Sequence, residues 1–229
     1  MNNLLDTPLF GVTLTIGMLL LFQYLFRKTK NPLLNPLIFA IGSIIGILLL
    51  FNIPYASYEK GGQLITFFLG PVTVCLAVPL YKHIELLKKH VVPILIGSLI
   101  GVITSLSSIL VLGRVFQLNR EMIASLLPKA TTTAIAIDLA KEAQGDPTLT
   151  VFFVVIAGTI GYMFGEQILK LFKIKSSVAK GMGMGTAAHV FGTTRALLMS
   201  DEIGAMSSLA IGIAGLMTTL LLPLFLLFI

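Results

Sequence analysis

Charge is what this chain lacks. Only 11% of its 229 residues are Asp, Glu, Lys or Arg, where soluble domains carry about 25%. Cysteine is nearly absent: the lone Cys75 lies inside an apolar run, so it forms no internal disulfide and says nothing of redox compartment. Signatures of soluble catalysis are missing too. There is no His/Cys spacing for a metal, no GxSxG, no phosphate loop and no carboxylate pair beside a histidine. An enzyme reading has no footing, and no cofactor is expected. The net charge of +6 comes from short loops beside apolar spans, with no basic stripe interleaved with aromatics, so nucleic acid is not an expected partner.

What the chain has is apolar length. Its mean hydropathy is +0.97, and apolar runs recur from Pro8 to Ile229, which makes it a polytopic, all-α membrane bundle in contact with lipid. The first run, Leu9–Phe26, has its basic cluster (Arg27, Lys28, Lys30) on the C-terminal side and no small-residue cleavage pattern, so it is expected to stay as a helix. Runs that can cross about 30 Å of hydrocarbon are Leu9–Phe26, Pro36–Phe51, Leu64–Tyr81, Val91–Leu112, Leu149–Phe172 and Ala205–Ile229. Two further stretches, Glu121–Ala143 and Gly181–Met199, are interrupted by Pro128-Lys129 and by a glycine series. They read as broken or re-entrant helices, tolerated at depth only where protein or a water-filled cavity satisfies the freed backbone. The positive-inside rule places Arg27–Lys30, Lys82–His90 and Lys170–Lys180 on the cytoplasmic side. Arg114–Asp146 must then begin and end outside, as a hairpin of two half-helices meeting near Pro128. The alternative, a single crossing there, would put the lysines at 170–180 outside.

The chain is read as one integral membrane domain with an internal repeat. Ile41-Gly42-Ser43-Ile44-Ile45-Gly46 returns as Ile96-Gly97-Ser98-Leu99-Ile100-Gly101. The stretch Thr73–Lys82 aligns with Thr132–Lys141, so residues 36–82 and 93–141 form two copies, followed by a broken segment at 181–199 and a last helix at 205–229. Each copy pairs a glycine-notched helix with a threonine-bearing one interrupted by proline, at Pro71 and at Pro128. Secondary transporters are often built this way. The GxxxG pairs 42/46 and 97/101, like Gly204, Ser208 and Gly212, read as packing notches. Thr73, Thr131, Thr132 and Thr133 either line a site or bond their own helix carbonyls.

Polar groups inside apolar spans are costly and usually face a cavity or a partner. Lys129, Asp138 and Arg195 qualify, although Lys129 can snorkel, Asp138 can sit at an interface, and Arg195 can pair with Asp201 or Glu202. His189 shares a helical face with Gly192 and Thr193. It is either a satisfied core residue or a group that handles protons or contacts substrate.

Three stretches together, LGPVTVCLAVPLY at 69–81, LPKATTTAIAI at 127–137 and GMGMGTAAHVFGTTRA at 181–196, resemble the LrgB/CidB family over nearly the whole chain. Ala130 and Ala134 stand where a serine and a proline occur in many relatives, which bears on substrate preference. The resemblance implies a bacterial inner-membrane protein, antiholin-like, linked to murein hydrolase activity and autolysis. It implies a smaller holin-like partner of the LrgA/CidA type and, through related proteins, movement of small monocarboxylates such as pyruvate, glycolate and glycerate. Two functions are therefore expected in competition. One is a carrier working by alternating access, with its site at Pro71, Thr73, Lys129, Thr131–Thr133, Asp138, His189, Thr193 and Arg195, the last supplying fixed positive charge. The other is a regulator that restrains the holin-like partner through its glycine-notched helices. A second copy of the chain is a further candidate partner.

Overall fold

The computed structural model describes residues 5–29, 36–75, 78, 81 and 84–229, and all regular structure among them is helical. The chain divides into two compact units, 1–72 and 73–229.

In the first unit α1 (Pro8–Thr29) packs against α2 (Pro36–Leu50) and α3 (Tyr55–Phe67). Its closest approach is Gly11 against Gly61, where the backbones of α1 and α3 leave no room for a Cβ on either side. Thr15 and Tyr58 share a hydrogen bond of 2.9 Å beside that crossing. Asp6 pairs with Lys60 at 2.7 Å, and the hydrogen bond and charge of that ammonium hold its carboxyl below the usual range. At the expected notch of Gly42 and Gly46, no described atom lies within 4 Å of either added Cβ. Helix α4 (Leu69–Cys75) follows after a break at Phe68, so the 64–81 run is divided and α3 begins well before it. Pro71 does not make the break. It sits in the first turn of α4, where a missing N–H costs little.

The second unit contains α5 (Ile84–Lys89), α6 (Val91–Val115), α7 (Arg120–Leu126), a 3₁₀ turn (Leu127–Ala130), α8 (Thr133–Glu142), α9 (Pro147–Leu171), α10 (Ser177–Met199) and α11 (Asp201–Leu226). Among the described residues four helices, α1, α6, α9 and α11, are long and apolar enough to cross a membrane, and α2 is a shorter apolar helix. The outer faces carry large exposed apolar side chains such as Ile156, Ile160 and Phe164, as a lipid-facing surface would. Start signals in the sequence are used: Asn119 caps α7, Asp146 with Pro147 opens α9, and Ser176 and Ser200 cap α10 and α11.

Helices α6 and α11 run in the same direction: Ile94 packs with Met206 and Leu209, while Leu106 and Leu110 pack with Ala214 and Leu222. Helix α9 runs the other way. One end of this unit, marked by His90 and the lysines at 170–180, is the lysine-rich end; Arg114, Asn119 and Asp146 mark the far end.

Candidate functional site

The segment 120–146 is a hairpin entered from the far end. Its first arm starts where Ile123 fills the space beside Gly113 of α6, then tightens into the 3₁₀ turn, whose second residue is Pro128. Thr131 and Thr132 are extended, and α8 leaves in the return direction. The return closes on Ser125: its Oγ accepts from the Asp146 N–H at 2.7 Å, and its carbonyl accepts from the Thr150 hydroxyl at 2.9 Å. A single crossing is thereby excluded for this segment. The 3₁₀ turn at its tip touches α6, α9, α10 and α11, so it lies inside the unit.

The segment 177–199 is a second hairpin, entered from the lysine-rich end. Two helical arms meet at His189, whose φ of 42° and ψ of −131° are far from helical. The neighbours of α9 demonstrate the reversal. Passing down α9 from Gly165 through Gly161 to Gly158, the facing residues are Met184, then Ala188, then His189 and Phe191. The chain then returns, and Arg195 pairs with Glu166, next to where Met184 began. Gly192 rests on the backbone of Met184, eight residues earlier, a contact that a straight helix forbids. Met184, Ala196 and Ile203 share one apolar cluster, which puts the two arms of the segment and the start of α11 together. The expected interruption exists, but its place is His189; the glycines at 181, 185 and 192 instead let the arms and α11 approach without a Cβ between them.

The expected site residues of the second unit fall on the two hairpins, and each has its own surroundings. Lys129 is half-buried in the 3₁₀ turn, its Nζ donating to Ser105 Oγ of α6 at 3.4 Å. Thr131 is buried and spends its hydroxyl on the Pro128 carbonyl at 2.8 Å. Thr132, only 5% exposed, has a hydroxyl without a partner at the N-terminus of α8. Thr133 opens that helix half-buried, and Asp138 is exposed on it, away from any buried site. His189 is 2% exposed; its ring donates from Nε2 to the Val154 carbonyl at 3.1 Å and meets Phe191 edge-on. Thr193 is bonded to Ser207 of α11 at 2.7 Å. Pro71 belongs to the first unit, and the side chain of Thr73 lies outside the described residues.

Arg195 does not pair with Asp201 or Glu202. Its guanidinium meets Glu166 of α9, whose other oxygen takes Lys170 at 2.7 Å. Sequence reasoning passed over Glu166 because it lies near the end of an apolar run, where Glu166 and Lys170 read as an interfacial i,i+4 pair.

A cleft of about 710 Å³ runs along α6 from His90 and Pro93 to Ser108, with the first arm of α10 as its other wall. Hydroxyls of Thr104, Ser105, Ser108, Ser176 and Thr186 line it, and no acidic side chain does among the described residues. The hydroxyl run at 104–108 inside an apolar helix was the available signal, and it was missed. Gly101 does act as a notch, since an added Cβ would meet Thr186 Cγ2 at 2.7 Å. Among the described residues no three of His, Cys, Asp and Glu converge to hold a metal.

The sequence profile of the LrgB-like family matches residues 15–228. The chain belongs to the LrgB-like family. It is 36% identical over 212 residues to the holin-like protein CidB of Staphylococcus aureus (strain N315), covering 93% of both chains. It is 35% identical over 223 residues to CidB of Staphylococcus epidermidis (strain ATCC 12228), covering 97% of both. The antiholin-like protein LrgB of Bacillus subtilis (strain 168) is 35% identical over 220 residues, 96% of this chain and 95% of that one. No solved structure matches. Membership and the four long apolar helices make this an LrgB-like membrane protein.

Proposed function

We propose that the chain is a carrier for small monocarboxylates of the pyruvate, glycolate or glycerate type, not an enzyme, working in a bacterial cytoplasmic membrane with its lysine-rich end inside. The observation that carries this reading is the pair of hairpins entered from opposite ends of the second unit. Interrupted helices at membrane depth are the means by which carriers expose backbone to a solute, and they persist only where protein or a water-filled cavity satisfies them. Both tips present a half-helix N-terminus, at Thr132 and at Val190, and such ends favour an anion. Opposed entry also suits alternating access, since each hairpin can loosen toward its own side.

A second reading has its own support: a regulator that restrains a small holin-like membrane partner and so murein hydrolase activity. The relatives are named holin-like and antiholin-like, and the Gly42 and Gly46 positions of α2 have no described atom against them. The two readings separate by flux. Proteoliposomes holding the chain, with and without the small partner, are expected to take up labelled pyruvate or glycolate. No uptake of any monocarboxylate with the partner present would leave the regulator.

A further inference from the structure

We infer that the cleft between α6 and the first arm of α10 is a monocarboxylate-binding site whose fixed charge is Lys129, and that Arg195 is not the substrate's cation. The ligand class rests on the carrier reading; the location does not.

Charge accounting in the second unit leads to this assignment. Arg195 already has its charge offset by Glu166 at Nη2, although its buried Nε–H has no partner. Lys129 has no carboxylate within ion-pair distance among the described residues, and its one hydrogen bond is a long one, 3.4 Å, to a neutral hydroxyl. An ammonium held half-buried without a counter-ion is costly unless an anion completes it. The partner of that ammonium, Ser105, is a lining residue of the cleft, so Lys129 is one hydrogen bond away from the cleft wall.

The opposite wall contributes an independent sign. Thr186 is 7% exposed, lines the same cleft, and its Oγ1 has no partner. Gly101, one turn before Ser105 on the same face of α6, is what lets Thr186 come close. Hydroxyl donors on the wall and an ammonium beside Ser105, with no lining carboxylate among the described residues, select an anion over a cation. The volume lies within the range of about 300–1,000 Å³ common for small-molecule sites.

The test uses the full chain with Cys75→Ser, so that Thr186→Cys carries its only thiol. Pyruvate is expected to slow maleimide labelling of that thiol, and pyruvamide, its neutral amide, to do so much less. Lys129→Met should raise the pyruvate concentration needed by about ten- to hundredfold, the loss of one charge-assisted contact. Lys129→Arg should recover most of it, and Ser105→Ala should weaken it less than Lys129→Met. Arg195→Gln should leave it within about threefold. Protection unchanged in Lys129→Met, or lost in Arg195→Gln while the folded Lys129→Met chain keeps it, overturns the site. Uptake in proteoliposomes separates the two failures. Pyruvate uptake that Lys129→Met does not diminish overturns the inference and leaves the carrier reading. Lys129-dependent protection in a chain that moves no monocarboxylate upholds the site and overturns the carrier reading.

Discussion

At the residue scale His189 carries the tightest constraint. A side chain at positive φ outside a turn of glycine is strained by about 1–3 kcal/mol, and the ring compensates by filling the space beside Gly158 and bonding the Val154 carbonyl. In an ordinary helix Gly is about 1 kcal/mol worse than Ala. At this position the order should invert. His189→Gly and His189→Ala both lose the ring, but only Ala keeps the strain, so the Gly variant is expected to be the more stable by about 1 kcal/mol. Thermal unfolding of the two variants in detergent reads the order, and Ala above Gly would mean that α10 is a continuous helix.

Among the elements, the returning arm of α10 hangs on few polar contacts, chiefly Arg195 to Glu166 and Thr193 to Ser207. Both ends of the ion pair are about four-fifths buried, so it matters more than a surface bridge, whereas Lys170 is exposed and its share is small. Glu166→Gln is expected to cost about 1–3 kcal/mol and Lys170→Gln under about 0.5 kcal/mol. Adding Arg195→Gln to Glu166→Gln should cost less than the sum of the single changes, because the pair is then already broken. Additive losses in denaturant midpoints would refute that coupling. The same arm marks how far the sequence could be read. Long crossings declare themselves by apolar length, and Pro128 with Lys129 announces the first tip by removing an N–H and adding a charge. The second tip is hidden, because glycines that signal close packing look the same as glycines that signal a break, and the residue that turns the chain is a histidine. The true partner of Arg195 was equally hidden, since it is remote in sequence and near only after the chain folds back.

For the whole molecule the decisive property is which positions share a side. With Cys75→Ser as background, single cysteines at Lys175 and Ser200 should react with an impermeant thiol reagent from one face of the membrane. Cysteines at Asn119 and Gln144 should react from the other. Labelling of Lys175→Cys and Ser200→Cys from opposite faces would restore a full crossing for residues 177–199 and remove one of the two hairpins. The outcome fixes orientation as well, because the lysines at 170–180 then lie with one labelled pair.

That second hairpin also constrains how the chain is made. Its glycine faces at 181 and 185, and the hydroxyl of Thr193, are met by α11, which is synthesised after them. Until α11 has entered the bilayer the hairpin leans on α9, α6 and the 3₁₀ turn but lacks the helix that covers its glycine faces, so its reversed backbone has no complete shelter. The segment therefore cannot be inserted as a finished unit. It must be held at the membrane edge or in the insertion machinery and drawn in as the last crossing arrives, so a nascent chain arrested shortly after Met199 should remain open to protease across 177–199, and release of the final helix should close it.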